Sequence, residues 1–359
     1  MKDIKVAIVG CGKAGYMHAE ALLNIKNCEL VAAYGRNIQK AEEFASHYKI
    51  RGYDDLEKMI SKEKIDIAII CTPHPGHKIA VSVMALGAHV LIEKPLASNL
   101  KDCDEIIEAS KKYNKKAGIV SQRRFYQSSQ RVKKAIDEGK IGTPVLGTAT
   151  MLGWRDEAYY KSDPWRGTWK DEGGGVLVNQ APHQLDLFQW FMGSEIDELY
   201  GIWKNLNHPY IEVDDTALAI VKFKNGAVGN ILVSNSQKPG IYGKVHVHGS
   251  NGASVGVQTE SGAMFIAGMT TILEPPLNDL WSIPGEENLV EKWKKEDIAF
   301  FKTIDPVEYY IRLQNQDFID AVLNNTEPLI SATDGRKTVE IISAIYESTK
   351  INGPVKWPL

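Results

Sequence analysis

The first third of the chain alternates short apolar runs with longer segments of helical periodicity. The apolar runs span residues 4–10, 29–35, 66–73 and 88–95, and a helical pattern separates each run from the next. Strands that are apolar on both faces are typical of a parallel sheet that helices cover on both sides. The pattern therefore predicts an α/β, doubly wound sheet over residues 1–124.

From residue 125 onward, long strands replace the alternation of strand and helix, and turn signals at Lys-Asn-Gly and Gly-Ser-Asn-Gly indicate two hairpins. A loop and two helices are predicted after them, at 273–292, 306–323 and 334–350. We expect an α+β domain with a large, mostly antiparallel sheet over 125–359, whose last helix packs back on the first domain. Because the open face of such a sheet leaves apolar surface exposed, we also expect a homo-oligomer that packs through it.

Composition and charge narrow the class of protein. The chain has 359 residues, 43% of them hydrophobic, and a formal net charge of -3, which gives no reason to expect nucleic acid or an anionic membrane as partner. No apolar run reaches the length of a membrane-spanning helix, and the N-terminus lacks the pattern of a signal peptide, so we expect a cytoplasmic protein. The four cysteines and nine histidines show no metal-ligand spacing, and we expect no metal.

A glycine-rich turn follows the first predicted strand and opens a helix. Gly10, Gly12 and Gly15 form the pattern G-x-G-x-x-G, with Lys13 and Ala14 between them. In this position the glycines allow a tight turn, a close approach of backbone to a pyrophosphate, and close packing of helix on strand. The unpaired N–H groups at the start of the helix then bind the anion. The motif predicts a Rossmann domain that binds a dinucleotide.

The end of the second strand bears on the choice of dinucleotide. Gly35 stands where enzymes that use NAD carry an acidic residue, and Arg36 and Asn37 follow it. An arginine pairs with a 2′-phosphate, so NADP is favoured, and NAD beside a solvated Arg36 is the alternative. Further cofactor contacts are expected at the ends of the later strands, at Thr72, Pro73, His74, Glu93, Lys94 and Gln122.

Two further segments identify a family. Glu93, Lys94 and Pro95 end a predicted parallel strand, and about 90 residues later three glycines and a strand-like Val-Leu-Val lead into Asn179 and His183. Together with the glycine motif, these segments resemble the Gfo/Idh/MocA family of sugar and cyclitol oxidoreductases. The resemblance implies that Lys94 and His183 flank the reacting carbon. It also implies an aspartate four positions before the histidine, where this chain has Asn179, a version that resembles pyranose and glycoside oxidoreductases.

The chemistry suits this pair of residues. Removal of a hydride from a secondary alcohol needs a base for the hydroxyl proton, which His183 supplies, while Lys94 polarises the same oxygen. Asn179 can orient the imidazole but adds no charge, and Asp186, three residues after His183, could supply the missing carboxylate. The alternative for Asn179 is a structural one, as the N-cap of a helix that has Pro182 in its first turn.

The segment before the three glycines is rich in aromatic and basic side chains, which stack on sugar rings and hydrogen-bond hydroxyls. A structural loop held by its tryptophans is the alternative. Candidate substrate contacts in addition to Lys94, Asn179 and His183 are Arg123, Trp154, Arg155, Tyr159, Trp165 and Arg166.

The expected function is hydride transfer between a nicotinamide cofactor and a secondary hydroxyl of a pyranose or glycoside. The resemblance adds C3 of a glucoside as the position, and dimers or tetramers as the assembly. Three alternatives stay open: an inositol dehydrogenase, a redox-neutral enzyme of the glycosidase type with tightly bound NAD, and a non-catalytic nucleotide-binding protein.

Overall fold

A computed structural model describes residues 3–238, 242–261 and 275–359, and the side chains of residues 242, 260 and 261 are outside the description. The chain forms two compact units. One consists of Met1–Gln122 with Asp305–Arg336, and the other of Arg123–Ile304 with Lys337–Leu359.

The described strands form one sheet in each unit. The strands in chain order are β1 (Ile4–Val9), β2 (Cys28–Tyr34), β3 (Arg51–Tyr53), β4 (Ile67–Ile70), β5 (His89–Ile92), β6 (Ala117–Ile119), β7 (Pro144–Leu152), β8 (Ile196–Lys204), β9 (Thr216–Phe223), β10 (Val228–Ser234), β11 (Tyr242–Gly249), β12 (Ser254–Ser261), β13 (Leu277–Trp281) and β14 (Val355–Lys356). The first sheet has the order β3-β2-β1-β4-β5-β6 and is parallel throughout. The second has the order β13-β12-β11-β7-β10-β9-β8-β14 and is antiparallel except for the pair β7 and β10.

Helices connect and cover these strands. They are α1 (Lys13–Leu23), α2 (Ile38–Tyr48), α3 (Leu56–Glu63), α4 (Ile79–Ala85), α5 (Leu100–Tyr113), α6 (Gln127–Asp137), α7 (Glu157–Lys161), α8 (Val176–Asn179), α9 (Pro182–Met192), α10 (Leu289–Phe301), α11 (Pro306–Leu323) and α12 (Ala332–Ile351). Short 3₁₀ turns lie at His74–Gly76 and Gln122–Phe125. The doubly wound parallel sheet and the second, mostly antiparallel sheet confirm the predicted fold class. Among the described helices, none combines the length and the apolar character needed to cross a membrane.

The first unit draws a helix from late in the chain. Ile311, Phe318 and Ile319 of α11 are buried in one core with Val6 and Ile8 of β1. The sequence predicts a second domain that runs unbroken over 125–359, with the last helix packed on the first domain. In the structure α11, the helix before the last, belongs to the first unit because its apolar face completes that core, and α12 carries the chain into the second unit.

The second sheet has one buried face and one exposed face. The alternation in β9 buries Ala217, Ala219 and Val221, whereas Leu218 and Ile220 are 49% and 62% exposed. Exposed apolar side chains from neighbouring strands continue this surface, namely Leu146, Tyr200, Ile202 and Val228. The predicted open apolar face is therefore present in the described part of the unit.

Residues 273 and 274 of the loop predicted over 273–292 lie outside the described residues. Of the rest, residues 275–276 and 282–288 are irregular as predicted, whereas 277–281 form a strand and α10 begins at Leu289. Residues 277–281 add β13 to β12, with Val255 opposite Trp281. Trp281 also packs edge-on against Trp293 of α10, with ring centroids 4.8 Å apart. The acidic and prolyl composition typical of a loop is outweighed here by this tertiary packing.

Candidate active site

The glycine turn of the first unit has the geometry that the motif predicts. Gly10 has φ +113°, and a Cβ there would lie 2.6 Å from the carbonyl carbon of Cys71. A Cβ on Gly15 would lie 2.3 Å from Gly10 O, so helix and strand approach too closely for any other residue. Gly12 is the N-cap of α1, and a Cβ there would meet no atom within 4 Å. Gly12 therefore borders open space beside the start of α1, where Lys13 and Ala14 present their N–H groups.

Two polar atoms at the ends of later strands fit a bound cofactor. Thr72 Oγ1, after β4, and Gln122 Oε1, after β6, are buried and have no hydrogen-bond partner among the described residues. Buried polar atoms without partners are uncommon, and they indicate a missing ligand when they lie at the carboxyl edge of a parallel sheet. Pro73 is exposed beside Thr72, and His74 is buried at the start of the next turn.

In a dinucleotide-binding domain of this kind, the end of the second strand lies beside the adenosine ribose of the cofactor, and here that strand is β2. Arg36 is exposed directly after Gly35. The side chain of Asn37 is the N-cap of α2 and accepts a hydrogen bond from Lys40 N at 3.0 Å. The structure therefore gives Asn37 a helix-capping role, while Arg36 extends from this edge.

The backbone of the Glu-Lys-Pro turn is fixed by side chains around it. Glu93 Oε2 accepts a hydrogen bond from Lys94 N at 3.0 Å, and Glu93 Oε1 lies 3.1 Å from Nε2 of the buried His18 on α1. His18 Nδ1 in turn lies 2.8 Å from Asn315 Oδ1. Burial disfavours the charge of Glu93, but the hydrogen bond from His18 and the ammonium of Lys94 hold its pKa below the usual value. Glu93 thus positions the main chain of Lys94.

A second histidine holds the other side of the turn. His77 is fully buried, with Nδ1 2.7 Å from Pro95 O and Nε2 2.9 Å from Thr72 O. Its ring connects the loop after β4 to the residue that follows Lys94. His77 therefore has a structural role at this edge.

The segment that carries His183 folds as two short helices, not as the predicted strand. Asp214 is buried, and its carboxylate accepts hydrogen bonds from Gly175 N at 2.8 Å and Leu177 N at 2.9 Å. These bonds satisfy the start of α8, so Val-Leu-Val becomes helical. A Cβ on Gly175 would lie 1.8 Å from Asp214 O, which is why glycine stands there.

His183 is the second residue of α9, after Pro182, and is partly exposed. The N-cap of α9 is Ala181, which makes no side-chain capping bond. Asn179 is the last residue of α8 and does not cap α9. The alternative role of Asn179 as the N-cap of the helix that has Pro182 in its first turn is therefore wrong.

Asn179 contacts a buried carboxylate that the sequence analysis did not single out. Its Nδ2 donates to Glu172 Oε1 at 2.6 Å and lies 3.1 Å from Tyr159 Oη. Gln180 Nε2, at 2.9 Å, and Arg166 Nη1 also lie within hydrogen-bond distance of Tyr159 Oη, which can accept from two of these three donors at a time. Burial raises the pKa of Tyr159, although the Arg166 guanidinium opposes this. A partly buried polar network therefore adjoins the helix of His183.

The carboxylate of Asp186 pairs with an arginine. Arg124 Nε donates to Asp186 Oδ2 at 2.8 Å and Arg124 Nη2 to Asp186 Oδ1 at 2.6 Å, and both side chains are buried. Both oxygens are engaged in this bidentate pair. The structure thus gives Asp186 a role in anchoring α9, and a role as the carboxylate partner of His183 stays a prediction.

Four of the remaining candidates for substrate contact lie together, and two lie elsewhere in the second unit. Arg166 lies over the ring of Tyr159 at 4.3 Å and over that of Trp165 at 4.5 Å, and Arg155 lies over Tyr159 at 5.2 Å. These four side chains lie together. Trp154 packs instead near His208, with ring centroids 5.3 Å apart, and Arg123 Nη1 lies 3.5 Å from Thr259 Oγ1.

Sequence reasoning missed the residues that support the predicted ones, chiefly His18, Glu172, Asp214 and Asn315. Only Glu172 carries a local signal, because it directly precedes the three glycines. The others come from distant parts of the chain. In the described part of the chain, no group of three or more histidine, cysteine, aspartate or glutamate side chains is placed to hold a metal ion.

Comparison with known proteins places the chain among oxidoreductases. Residues 4–120 match the model of the oxidoreductase family with the NAD-binding Rossmann fold, and residues 129–255 match the GFO/IDH/MocA C-terminal domain. Myo-inositol 2-dehydrogenase of Thermotoga maritima is 28% identical over 69% of this chain and 74% of its own length. The scyllo-inositol 2-dehydrogenase (NAD(+)) of Bacillus subtilis is 25% identical over 99% and 96%.

Among solved structures, the WlbA dehydrogenase of Chromobacterium violaceum, in complex with NADH and UDP-GlcNAcA, superimposes with a TM-score of 0.82 at 25% identity. The match covers 100% of this chain and 97% of that one. The two family models, the relatives and the two sheets agree: this chain belongs to the Gfo/Idh/MocA family of oxidoreductases, and its first unit is an NAD-binding Rossmann domain.

Proposed function

We propose that this protein is a nicotinamide-dependent dehydrogenase that oxidises a secondary hydroxyl of a pyranose carried on a glycoside or nucleotide. The observation that carries the proposal is the partly buried network of Arg166, Tyr159, Glu172 and Asn179 beside the helix of His183. The partly exposed Arg166 guanidinium in this network is suited to hydrogen-bond the hydroxyls of a sugar ring, while Glu172 and Asn179 order the side of the site next to the helix of His183. The comparison structure that holds UDP-GlcNAcA supports a pyranose as the reacting ring.

Two side chains carry the proposed acid-base chemistry. His183 accepts the proton of the hydroxyl group, because an imidazole has a pKa near the working pH. The ammonium of Lys94 stabilises the negative charge that develops on the same oxygen. Glu93 and His77 fix the main chain on either side of Lys94, which limits the positions its ammonium can take. A nicotinamide cofactor held by the glycine turn, Thr72 and Gln122 would supply the hydride acceptor for the carbon that bears the hydroxyl.

The aromatic and basic side chains define the proposed substrate contacts. Trp165 and Tyr159 flank the Arg166 guanidinium, which fixes the direction of its N–H groups. Arg155 also lies over the Tyr159 ring, 5.2 Å from its centroid, and adds a second cation. Two arginines in this segment favour a substrate with an anionic group, such as a carboxylate or a phosphate. We propose C3 of a glucoside as the first position to test, on the strength of the family resemblance.

The test is the absorbance of reduced nicotinamide after mixing the protein with NAD or NADP and a panel of substrates. The panel holds glucosides, nucleotide-linked glucose derivatives, free hexoses and inositols, and Lys94→Ala and His183→Ala are the controls. We expect a signal with a pyranose that both variants abolish. A pyranose signal of unchanged size in both variants would refute the assigned roles.

A second candidate function is that of an inositol dehydrogenase. The inositol 2-dehydrogenases among the relatives favour it, since one of them matches 99% of this chain. The same panel separates the candidates, because turnover of inositols without turnover of pyranoses would replace our proposal. Absence of net reduction, with NAD retained through purification, would instead favour a redox-neutral enzyme.

For the cofactor, we propose a preference for NADP over NAD, based on the exposed Arg36 beside Gly35 and the lack of a carboxylate there. Replacing Arg36 by alanine is expected to raise the KM for NADP by at least about 10-fold and to leave that for NAD unchanged. Equal effects on both cofactors, or none, would mean that Arg36 does not contact a 2′-phosphate.

We also propose that the exposed face of the second sheet forms the contact of a homo-oligomer. Leu218 and Ile220 lie at the centre of an apolar surface larger than isolated exposed residues explain. A two-fold related copy would bury it against itself.

A further inference from the structure

The carboxylate missing at position 179 has a replacement nearby. Glu172 is 1% exposed. Its Oε2 accepts a hydrogen bond from Gly167 N at 2.5 Å, and its Oε1 accepts one from Asn179 Nδ2 at 2.6 Å. Two N–H donors at these distances stabilise the ionised carboxylate. A negative charge therefore lies one hydrogen bond behind Asn179.

The amide of Asn179 is fixed by its donor atoms. One N–H of Nδ2 points to Glu172 and the other to Tyr159 Oη, which is 3.1 Å away. With both N–H groups directed to this side, the amide plane is set, and Oδ1 faces the opposite side as an acceptor. A hydrogen bond to a carboxylate also polarises the amide and makes Oδ1 a stronger acceptor.

The backbone brings Asn179 and His183 onto one side. Gln180 (φ −101°, ψ −43°) and Ala181 (φ −66°, ψ −25°) keep a right-handed helical conformation between α8 and α9. Residues four apart on a helical backbone are neighbours. Asn179 Oδ1 is thus suited to accept the N–H of the His183 imidazole.

We infer that Glu172 is a positioning residue for His183, which acts through the amide of Asn179 and supplies the negative charge that position 179 lacks. The inference rests on the proposed function, because it assigns His183 the role of base. It extends that function by naming a buried carboxylate that sets both the orientation of the imidazole and its affinity for protons.

The other charged groups around this network are arginines and aspartates with partners of their own. Arg166 donates to Tyr159 Oη, and Arg155 lies over the Tyr159 ring. Arg166 also pairs with Asp163 at 3.3 Å, and the positive charge of the two guanidinium groups disfavours a protonated imidazole. Asp214 caps α8 at its other end and Asp186 pairs with Arg124. Glu172 is the carboxylate that contacts Asn179 directly.

The first test is Glu172→Gln. The glutamine keeps an oxygen for Gly167 N but turns its amide N–H groups toward Asn179 Nδ2, so two donors face each other and the Asn179 amide must rotate. We expect kcat to fall at least about 10-fold with KM within about 3-fold. We also expect the pKa of His183, measured by NMR on the protein without substrate, to fall by about 0.5 to 1 unit. The His183→Gln variant assigns the resonance.

The decisive test moves the charge. In the double variant Glu172→Gln with Asn179→Asp, the glutamine donates to the new aspartate and still accepts from Gly167 N, so the hydrogen bonds are restored with reversed polarity. We expect kcat and the pKa of His183 to return to near the wild-type values. Asn179→Asp alone instead places two carboxylates at the 2.6 Å contact, where they must share a proton, so no net charge is added and the pKa of His183 is expected to change by less than about 1 unit.

The matched control is Glu212→Gln. Glu212 is exposed, and its carboxylate accepts a hydrogen bond at 3.3 Å from the main-chain N–H of Trp169, three residues before Glu172. It is expected to change neither readout. The inference is overturned if Glu172→Gln leaves the pKa of His183 unchanged, or if the double variant fails to restore it. If Glu172→Gln does not fold, Asn179→Asp decides, since it adds no net charge when Glu172 is ionised in the wild type, and a rise of more than about 1 unit in the pKa of His183 would contradict a charged Glu172. The NMR readout needs no turnover, so it stands if the proposed substrate class is wrong.

Discussion

The buried ion pair between Arg124 and Asp186 gives the sharpest prediction for the second unit. The side chains are 4% and 6% exposed, and two N–H groups donate to two oxygens at 2.8 and 2.6 Å. Asp186→Asn keeps one oxygen but places an amide N–H against the guanidinium, which then stays buried without a counter-charge. Removing one partner of such a pair costs about 3–5 kcal/mol of the free energy of unfolding.

Tryptophan fluorescence isolates the unit concerned, because all eight tryptophans lie in the second unit. In urea, the expected loss corresponds to a shift of roughly 1–2 M in the unfolding midpoint. The double variant Arg124→Met with Asp186→Leu removes both charges and is expected to lie within about 1.5 kcal/mol of the wild type. The hydrogen bond from Gln130 Nε2 to the main-chain oxygen of Arg124 survives in every variant.

The outcome also decides between two roles for Asp186. As the anchor of α9 it should affect stability strongly and the pH profile of kcat/KM little. If Asp186→Asn shifts the kinetic pKa of the base and leaves the urea midpoint within about 0.3 M, its carboxylate serves His183. That result would refute the reasoning from the ion pair.

Three further predictions concern the cofactor turn, a titrating histidine and the exposed sheet. The side chain of Gly12→Val would project into open space, so this variant should weaken NADH binding at least about 10-fold in a fluorescence titration without changing thermal unfolding. In Gly15→Ala the Cβ would lie 2.3 Å from Gly10 O, so this variant should lower the free energy of unfolding of the first unit by about 1–3 kcal/mol. Burial and the nearby lysines lower the pKa of His89 from 6.5 to about 4, and its neutral Nδ1 accepts a hydrogen bond from Lys116 N. The contribution of His89 to the free energy of unfolding is therefore complete above pH 6.5 and falls by about 1 kcal/mol toward pH 4.5. His89→Asn should flatten this pH dependence in calorimetry. Leu218→Glu should convert the oligomer to a monomer by light scattering with the circular dichroism unchanged; a monomeric wild type would contradict the proposed interface.

Much of the fold could be predicted because it depends on local patterns. The apolar runs and the glycine motif predict the parallel sheet, and the helix expected over 306–323 has the same bounds as α11. The domain to which α11 belongs could not be predicted, because it depends on contacts of Ile311, Phe318 and Ile319 with strands some 300 residues earlier. The Val-Leu-Val run was predicted as a strand, since its intrinsic preference gives no sign of the capping carboxylate of Asp214.

The candidate site divides in the same way. Residues with a motif around them, such as Gly10, Gly12 and Lys94, could be named from the sequence. Residues that hold them in place could not, because His18 reaches Glu93 from a helix 75 positions away, and Asp214 reaches Gly175 from 39 positions away. A sequence motif records the groups that contact cofactor and substrate, while their supports are chosen by the fold and carry no fixed spacing.

Position 179 shows the consequence for inferring chemistry from a motif. Taken alone, an asparagine there predicts a base without the negative charge that raises its proton affinity. With Glu172 at 2.6 Å from its amide, the same position predicts a charge held one hydrogen bond further back. The two residues therefore act as a unit, and the effects of their single substitutions should not add. An assignment of activity from residue 179 alone would underestimate the proton affinity of His183. The negative charge lies on Glu172, seven residues before Asn179 and on the other side of three glycines.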